Sequence, residues 1–378
     1  MQTDSSFSSS RYFVGLDVHR DTIVACVYDA QRRLPCYRAE FSAHDAGRLR
    51  RFIDHVRAHF GEPRCCYEAS SCGYVLYRSL QKMGVDCEVI APGSMPRRTG
   101  DRIKTDRRDA KKLAEYFAAG LLTACFVPDQ QWESARNLVR SRADLVAELH
   151  RPKVRALNLL RSRGYVYTDG NPWTQKFMRW LNGVTLTHEN DEHVLRGYLA
   201  QIDFLQAQLR EVEQQIAKTA ALSRFREGVQ ILQGFRGIAL YTAMQLVCEL
   251  GDMRRFKRPT ALMAYLGLVP AQRSSGATLR YGAITKTGNV HARKALVSAA
   301  WKYTYSPRVS VALQKRQCSC SARTIAISQR AQRRLYQRYL ALKRRKAPKV
   351  AITAIARELA AFLWEAMQPQ PAAQPLET

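Results

Sequence analysis

The pattern of apolar and polar positions divides this 378-residue chain into two unlike parts. Up to about Phe126, short apolar runs of strand length recur at Tyr12–Leu16, Thr22–Tyr28, around Cys36–Phe41, Cys65–Tyr67 and Cys87–Ala91. A stretch with Leu49, Phe52, Ile53, Val56 and Phe60 on one face predicts an amphipathic helix after the third run, and another helix is predicted through Tyr74–Met83. From about Val127 the strand signals stop. Gln131–Arg163 reads as one long helix carrying Leu138, Leu145, Leu149, Leu157 and Leu160. A loop-like section with Gly164, Gly170, Pro172 and Gly183 follows. A second long helix begins near His188, and its apolar positions Leu195, Tyr198, Ile202, Leu205, Leu209, Val212 and Ile216 alternate steps of three and four. Heptad spacing of this kind suits a coiled-coil arm, within the chain or between protomers, and equally a helical hairpin packed on its own domain. The remainder is mostly helical, ending in Val350–Met367 with Ile352, Ile355, Leu359, Phe362 and Leu363 on one face.

These patterns predict an α/β domain at 11–126, a helical region at 127–227 and a mostly helical domain at 228–367, with a Ser-rich disordered leader at 1–10 and a loose Pro-containing tail at 368–378. The charge balance adds a partner. Lys and Arg number 60 against 32 Asp and Glu, a net charge of +28, and the excess is spread through folded-looking segments. A polyanion is the natural counterpart, so nucleic acid is the expected partner. The absence of a long uncharged apolar stretch, a signal peptide or a lipidation motif argues against a membrane. The ten cysteines form no paired framework. Cys26, Cys65, Cys66, Cys87, Cys125 and Cys248 lie in apolar runs and read as small buried hydrophobes, and Cys318-Ser319-Cys320 is too tightly spaced for a zinc half-site.

Against this basic background four acids stand out. Asp17 ends the first apolar run, Glu68 ends the fourth, and Asp106 and Asp109 lie three apart on a predicted helix. Three antiparallel strands followed by alternating helices and strands, with acids at those places, is the order of a ribonuclease-H-like fold. Oxygen ligands of that kind hold Mg²⁺, with Mn²⁺ as a substitute, and a divalent ion can activate an attacking oxygen on a phosphodiester. The bland alternative for the helix pair is a solvated face pairing with Arg107 or Lys112. Arg97, Arg98, Arg102, Lys104, Arg107, Arg108, Lys111 and Lys112 surround these acids and suit phosphates flanking a scissile bond.

Two further segments carry candidate chemistry. Gly234-Phe235-Arg236-Gly237, between two short helices, reads either as a helix-hairpin-helix clamp on a phosphate backbone or as a tight helix–helix turn. Gly267–Gly276, running on through Arg280 to Asn289, is polar and Gly-rich and reads as a loop. Ser275 within it is a nucleophile only if cations such as Arg273, Arg280, Lys286, Arg293 and Lys294 neutralise the phosphate under attack; otherwise Ser275-Gly276 is a turn.

The ordered set Gly15-Leu16-Asp17-Val18-His19, Tyr67-Glu68-Ala69, Asp101–Ala110, Gly267-Leu268-Val269-Pro270, Ser274-Ser275-Gly276, Ile284–Asn289, Ala299-Ala300-Trp301 and Thr353–Arg357 resembles the DEDD-type transposases of the IS110 insertion sequences, relatives of the pilin-gene invertases also described as bridge-RNA-guided recombinases. The resemblance implies a RuvC-like domain whose acids Asp17, Glu68, Asp106 and Asp109 bind Mg²⁺, a coiled-coil arm, and a C-terminal transposase domain with nucleophilic Ser275, Ser274 being the adjacent fallback. It further implies strand exchange through a covalent phosphoserine, a dimer or tetramer with composite sites, double-stranded donor and target DNA, a structured non-coding bridge RNA that selects both, and a bacterial cytoplasmic, nucleoid-associated setting. Arg102, Lys104, Arg107, Arg108, Gly234, Gly237, Arg273, Arg280, Lys286, Asn289, Arg293 and Lys294 are the expected nucleic-acid contacts. A Holliday-junction resolvase that hydrolyses with metal-activated water, without the serine, is the alternative; a non-catalytic nucleic-acid-binding scaffold is a third reading. Ala271-Gln272 and Tyr281-Gly282-Ala283 depart from the family pattern.

Overall fold

A computed structural model describes residues 10–92, 105–275 and 278–369, with the side chains of 273–275, 278 and 279 left out. The chain falls into two compact units that meet in sequence between Val127 and Pro128. The expected leader and tail fall almost wholly outside the described residues.

In the first unit, β1 (Tyr12–Val18), β2 (Thr22–Asp29), β3 (Leu34–Ser42), α1 (Ala46–Phe60), β4 (Arg64–Glu68), α2 (Val75–Lys82), β5 (Asp86–Ile90) and α3 (Asp106–Ala118) follow one another. The sheet order is β3-β2-β1-β4-β5. β1, β2 and β3 are antiparallel neighbours, and β4 and β5 continue parallel to β1. This mixed order is consistent with a RuvC-like domain.

Side chains alternate across the sheet, and the two faces carry different helices. Val14, Leu16, Ile23, Ala25, Val27, Cys65 and Tyr67 pack with Leu49, Phe52, Ile53 and Val56 of α1 and Leu80 of α2. On the other face Phe13, Cys66 and Ile90 meet Leu113 and Phe117 of α3, and Val24 and Cys26 meet Ala110. Gly15 lies on this second face between Phe13 and Asp17. A Cβ there would sit 2.2 Å from the Ala110 carbonyl oxygen and 2.5 Å from the Ala114 nitrogen. The missing side chain therefore lets α3 lie directly on β1.

In the second unit α4 (Gln130–Ser162), α5 (Gln175–Asn182) and α6 (Glu189–Ala220) come first. Arg142 pairs with Glu213 at 2.7 Å and Arg163 with Asp191 at 2.6 Å, so α4 and α6 run antiparallel. Leu149 packs with Ile202 and Leu205 between them. The apolar stripe of the second long helix is thus used within the chain. The section expected as loop contains α5, whose Phe177 and Leu181 are buried with Leu160 and Leu195 among Trp173, Trp180 and Tyr167. Its two turns were hidden between Gly and Pro signals, and it is aromatic packing rather than length that stabilises them.

Then come α7 (Ser223–Gln233), α8 (Leu240–Leu250), a short 3₁₀ turn at Met253–Arg255, α9 (Pro259–Tyr265), β6 (Pro270–Ser275), β7 (Thr278–Ile284), α10 (Val290–Ala300), a second 3₁₀ turn at Trp301–Thr304, α11 (Val311–Gln317), α12 (Ala322–Lys343) and α13 (Pro348–Met367). The segment read as a loop is instead a two-stranded antiparallel hairpin, and β structure does not stop at Val127. Thr278, Leu279, Tyr281 and Ile284 have the β-branched, aromatic and apolar character of a strand, which the surrounding Gly and Ser obscured. The hairpin base is fixed by Thr285 N–H donating to Val269 O at 2.9 Å and Lys286 N–H to Gly267 O at 3.1 Å. Gly288, at φ +69°, presses against Tyr265, where a Cβ would meet the carbonyl oxygen at 1.8 Å. Cys26, Cys65, Cys66, Cys87 and Cys248 are buried as expected, whereas Cys125 is only half-buried; all ten thiols are free. No helix among the described residues is long and apolar enough to cross a membrane.

One buried carboxylate joins three helices of this unit. Glu249 on α8, 4% exposed, receives Arg140 Nε at 2.7 Å and Nη2 at 2.9 Å from α4. It also receives Asn289 Nδ2 at 2.7 Å from the start of α10. Burial alone would raise its pKa, but the hydrogen bonds from Arg140 and Asn289 lower it. Glu249 is the buried partner, while the Arg140 side chain is 39% exposed.

Two predictions concern the first unit. Gly15→Ala should force α3 off β1 and destabilise the protein by about 1–3 kcal/mol in chemical denaturation. The second concerns Asp29, whose carboxylate accepts from Arg11 Nε at 3.0 Å and Nη2 at 2.6 Å and from the backbone N–H groups of Gln31 and Arg32. The Arg11 hydrogen bonds hold its pKa down to about 2. Because that value lies below the unfolded one of about 3.9, the stabilisation is complete above pH of about 4 and is lost as pH falls toward about 2. Asp29→Asn should therefore lower stability at neutral pH, with the gap to wild type closing between those limits in an acid unfolding series.

Candidate metal centre and nucleic-acid surfaces

The register places the acids. β1 and β4 are parallel, with Gly15 beside Cys66 and Leu16 beside Tyr67. One step further on, Asp17, the penultimate residue of β1, lies beside Glu68, the last of β4. Asp17 shares its face with Phe13 and Gly15, and Glu68 shares its face with Cys66, whose thiol donates to Leu113 O on α3. Both carboxylates thus belong to the α3 face of the sheet.

Asp106 and Asp109 occupy the first turn of α3, where the helix dipole favours negative charge. Asp109 immediately precedes Ala110, the residue that the absent Gly15 side chain admits to β1. The close packing therefore lowers the acidic end of α3 toward the end of β1. Asp17 Oδ2 lies 3.2 Å from His19 Nε2, and the same nitrogen lies 3.5 Å from Asp106 Oδ1. The donor atoms of Asp17, His19 and Asp106 all fall within 4.8 Å of one another. Burial raises the Asp17 pKa; His19 works against this, while the charges of Asp106 and Asp109 add to it. A cation would relieve that repulsion, and two carboxylates with an imidazole are a donor set that a divalent ion accepts.

His19 was not among the predicted site residues. The signal was present in Asp17-Val18-His19, because residues i and i+2 at a strand end point to one face. A strand pattern alone does not show that the helix carrying Asp106 ends beside that face.

The remaining expected residues are scattered. Arg102 and Lys104 lie outside the described residues. Arg107 and Arg108 are exposed on α3, with Arg107 Nη2 3.8 Å from Glu40 Oε2 on β3. Ser274 and Ser275 close the backbone of β6, and Ser275 pairs with Thr278 at the last described rung of the hairpin. Arg273 and Arg280 are paired backbone positions on the two strands. Arg280, Lys286 and Lys294 are exposed. Asn289 and Arg293 are engaged by the protein itself. Asn289 caps α10, its Oδ1 accepting from Ala292 N–H at 2.9 Å, while its amide serves Glu249. Arg293 Nη1 donates to Leu266 O and Thr287 O, both at 2.8 Å.

The turn between α7 and α8 is tightly packed. The Gly234 carbonyl accepts from Gln317 Nε2 at 2.9 Å and Ser328 Oγ at 2.8 Å. Gly237 has φ +83°, and a Cβ there would meet Ala299 O at 2.6 Å. Both glycines are thus accounted for by packing, while the first turn of α8 has no side-chain cap.

Comparison with known proteins gives the family. Residues 14–163 match a family model described as transposase, of the DEDD and IS110 type, and residues 229–312 match the transposase IS116/IS110/IS902 family. A Sinorhizobium fredii protein described as "Putative transposase y4qE" is 39% identical over 93% of this chain and 87% of its own length. The transposase for insertion sequence element IS1533 of Leptospira borgpetersenii is 30% identical over 89% of this chain and 98% of its own length. The chain belongs to the IS110 family of insertion-sequence transposases and is an enzyme of DNA cleavage and rejoining.

Proposed function

We propose that the chain cuts and exchanges DNA strands, with the carboxylates of Asp17, Glu68, Asp106 and Asp109 holding a divalent ion and the hydroxyl of Ser275 as the nucleophile. The observation that carries this reading is the convergence of Asp17 and Asp106 on one point at the end of the central strand, with Asp109 close enough to disturb the Asp17 carboxyl. Glu68 ends the neighbouring strand on the same face. A bound Mg²⁺, or Mn²⁺ in its place, would neutralise charge on the phosphodiester and polarise it toward attack.

The protein's own groups supply the rest. The acids hold and orient the ion. Exposed Arg107 and Arg108 on α3 take the flanking phosphates, which positions the strand without reading its sequence. Ser275 attacks phosphorus through Oγ; the Oγ–P bond forms as the bond to one deoxyribose oxygen breaks, and that oxygen leaves as a hydroxyl with the serine's proton. The reverse exchange onto a new strand conserves the ester, so no ATP is consumed. Exposed Arg280, Lys286 and Lys294, around and beyond the hairpin, suit the phosphate under attack. Composite sites in a dimer or tetramer, with acids from one protomer meeting the serine of another, belong to the same reading. So does a structured non-coding RNA that pairs with donor and target DNA, for which the net charge of +28 provides ample electrostatic attraction.

The test uses full-length protein, end-labelled donor DNA and the RNA that copurifies with it. Wild type should yield a denaturation-resistant protein–DNA adduct, and Ser275→Ala should yield none. Asp17→Asn should reduce both cleavage and adduct by at least about a hundredfold, more than an outer-shell change around a metal. Undiminished cutting by Ser275→Ala would point instead to a resolvase-like nuclease that uses water. Undiminished cutting by Asp17→Asn would remove the carboxylate site from the reaction.

A further inference from the structure

We propose that His19 is a nitrogen ligand in the metal centre of Asp17 and Asp106, and that this makes the centre select Mn²⁺ over Mg²⁺. The inference rests on the reading that these carboxylates bind a divalent ion. It goes further by assigning a role to a side chain outside the acidic set and a preference to the ion.

Three observations support it. The first is geometric. Two ligands in adjacent positions around a cation, each about 2.1 Å from it, stand about 3 Å apart. His19 Nε2 is hydrogen-bonded to one Asp17 oxygen at 3.2 Å and stands 3.5 Å from one Asp106 oxygen, spacings that adjacent ligands of a single ion also have. The second is local structure. His19 follows β1 directly, and its backbone N–H donates to Thr22 O at 2.9 Å, which fixes the turn into β2 and with it the origin of the side chain. The third is access. The His19 side chain is 47% exposed, so an ion and its waters can reach the imidazole.

The preference follows from the donor set. Mg²⁺ takes oxygen ligands almost exclusively and gives up its waters reluctantly, whereas a site with an imidazole favours first-row transition ions. The competing account is that His19 is merely a counter-charge to two aspartates. Its removal would then leave the affinity for both ions unchanged or raise it, because a cation competing for the same carboxylates is gone.

The experiment is ion binding to the full-length protein without DNA. Mn²⁺ is titrated by electron paramagnetic resonance, with Mg²⁺ as competitor, for wild type, His19→Asn, His19→Gln and Asp17→Asn. Wild type should prefer Mn²⁺ by about tenfold or more and show ¹⁴N coupling to the bound ion in a pulsed experiment. Each His19 variant should lose that coupling and weaken Mn²⁺ by about tenfold, with Mg²⁺ affinity changed less than about threefold and the ion-free melting temperature preserved. Absence of ¹⁴N coupling in wild type, or Mn²⁺ affinity undiminished in both His19 variants, would overturn the assignment. Binding that Asp17→Asn leaves intact would instead overturn the carboxylate site beneath it. If only the His19 assignment is wrong, Asp17→Asn still abolishes binding while the His19 variants do not.

Discussion

The contact on which the candidate site depends is the seating of α3 on β1 at Gly15. Helix backbone and strand backbone meet there with no side chain between them, and Ala110 and Ala114 complete the small-residue patch. Every carboxylate of the cluster is placed by reference to that contact. Asp17 is two residues beyond Gly15 on the same face, and Asp109 and Asp106 are one residue and one turn before Ala110. Glu68 closes β4 on the same face, one step past the Leu16–Tyr67 pair of the parallel register. Close-packed interiors leave little room for adjustment, so a side chain at position 15 would be felt at the acids. Burial at this contact is the main cause that raises the Asp17 pKa, and the charges of Asp106 and Asp109 add to it.

The second unit is organised around a different kind of constraint. Its apolar core runs from α7 and α8 through α10 to the buried face of α13. Within it Glu249 is a charge held by Arg140 and Asn289, and so by groups from the long helix α4 and the start of α10. A buried ionic group of this sort is satisfied by one arrangement of the three helices and penalises others. The hairpin that carries Ser275 emerges from this scaffold with its base locked at Gly267 and Gly288 and its backbone ladder complete to the last described rung.

The excess of basic residues is used in two ways. Arg140, Arg142 and Arg163 are committed to Glu249, Glu213 and Asp191, and Arg334 and Arg338 share Glu358. These pairs tie helices together, and each spends an acid from a small supply. Arg107, Arg108, Lys286 and Lys294 are by contrast exposed on the surface. Net charge therefore predicts the kind of partner, while the pairing of individual arginines decides which surfaces can take it.

The sequence by itself determined the strand and helix order of the first unit, the two long helices and the acids that terminate β1, terminate β4 and begin α3. Periodicity and charge are local properties, written directly in the order of residues. Only the tertiary structure decided that the polar segment after α9 is a hairpin, that α5 exists, that Asn289 and Arg293 are engaged by the protein, and that the apolar stripe of α6 is covered by α4 of the same chain. It alone brought His19 to the carboxylates, across 87 positions from Asp106. Such facts depend on which distant backbone supplies a carbonyl, a small residue or an ion, and a reading of neighbours along the chain holds no information about that until the helices and strands are packed.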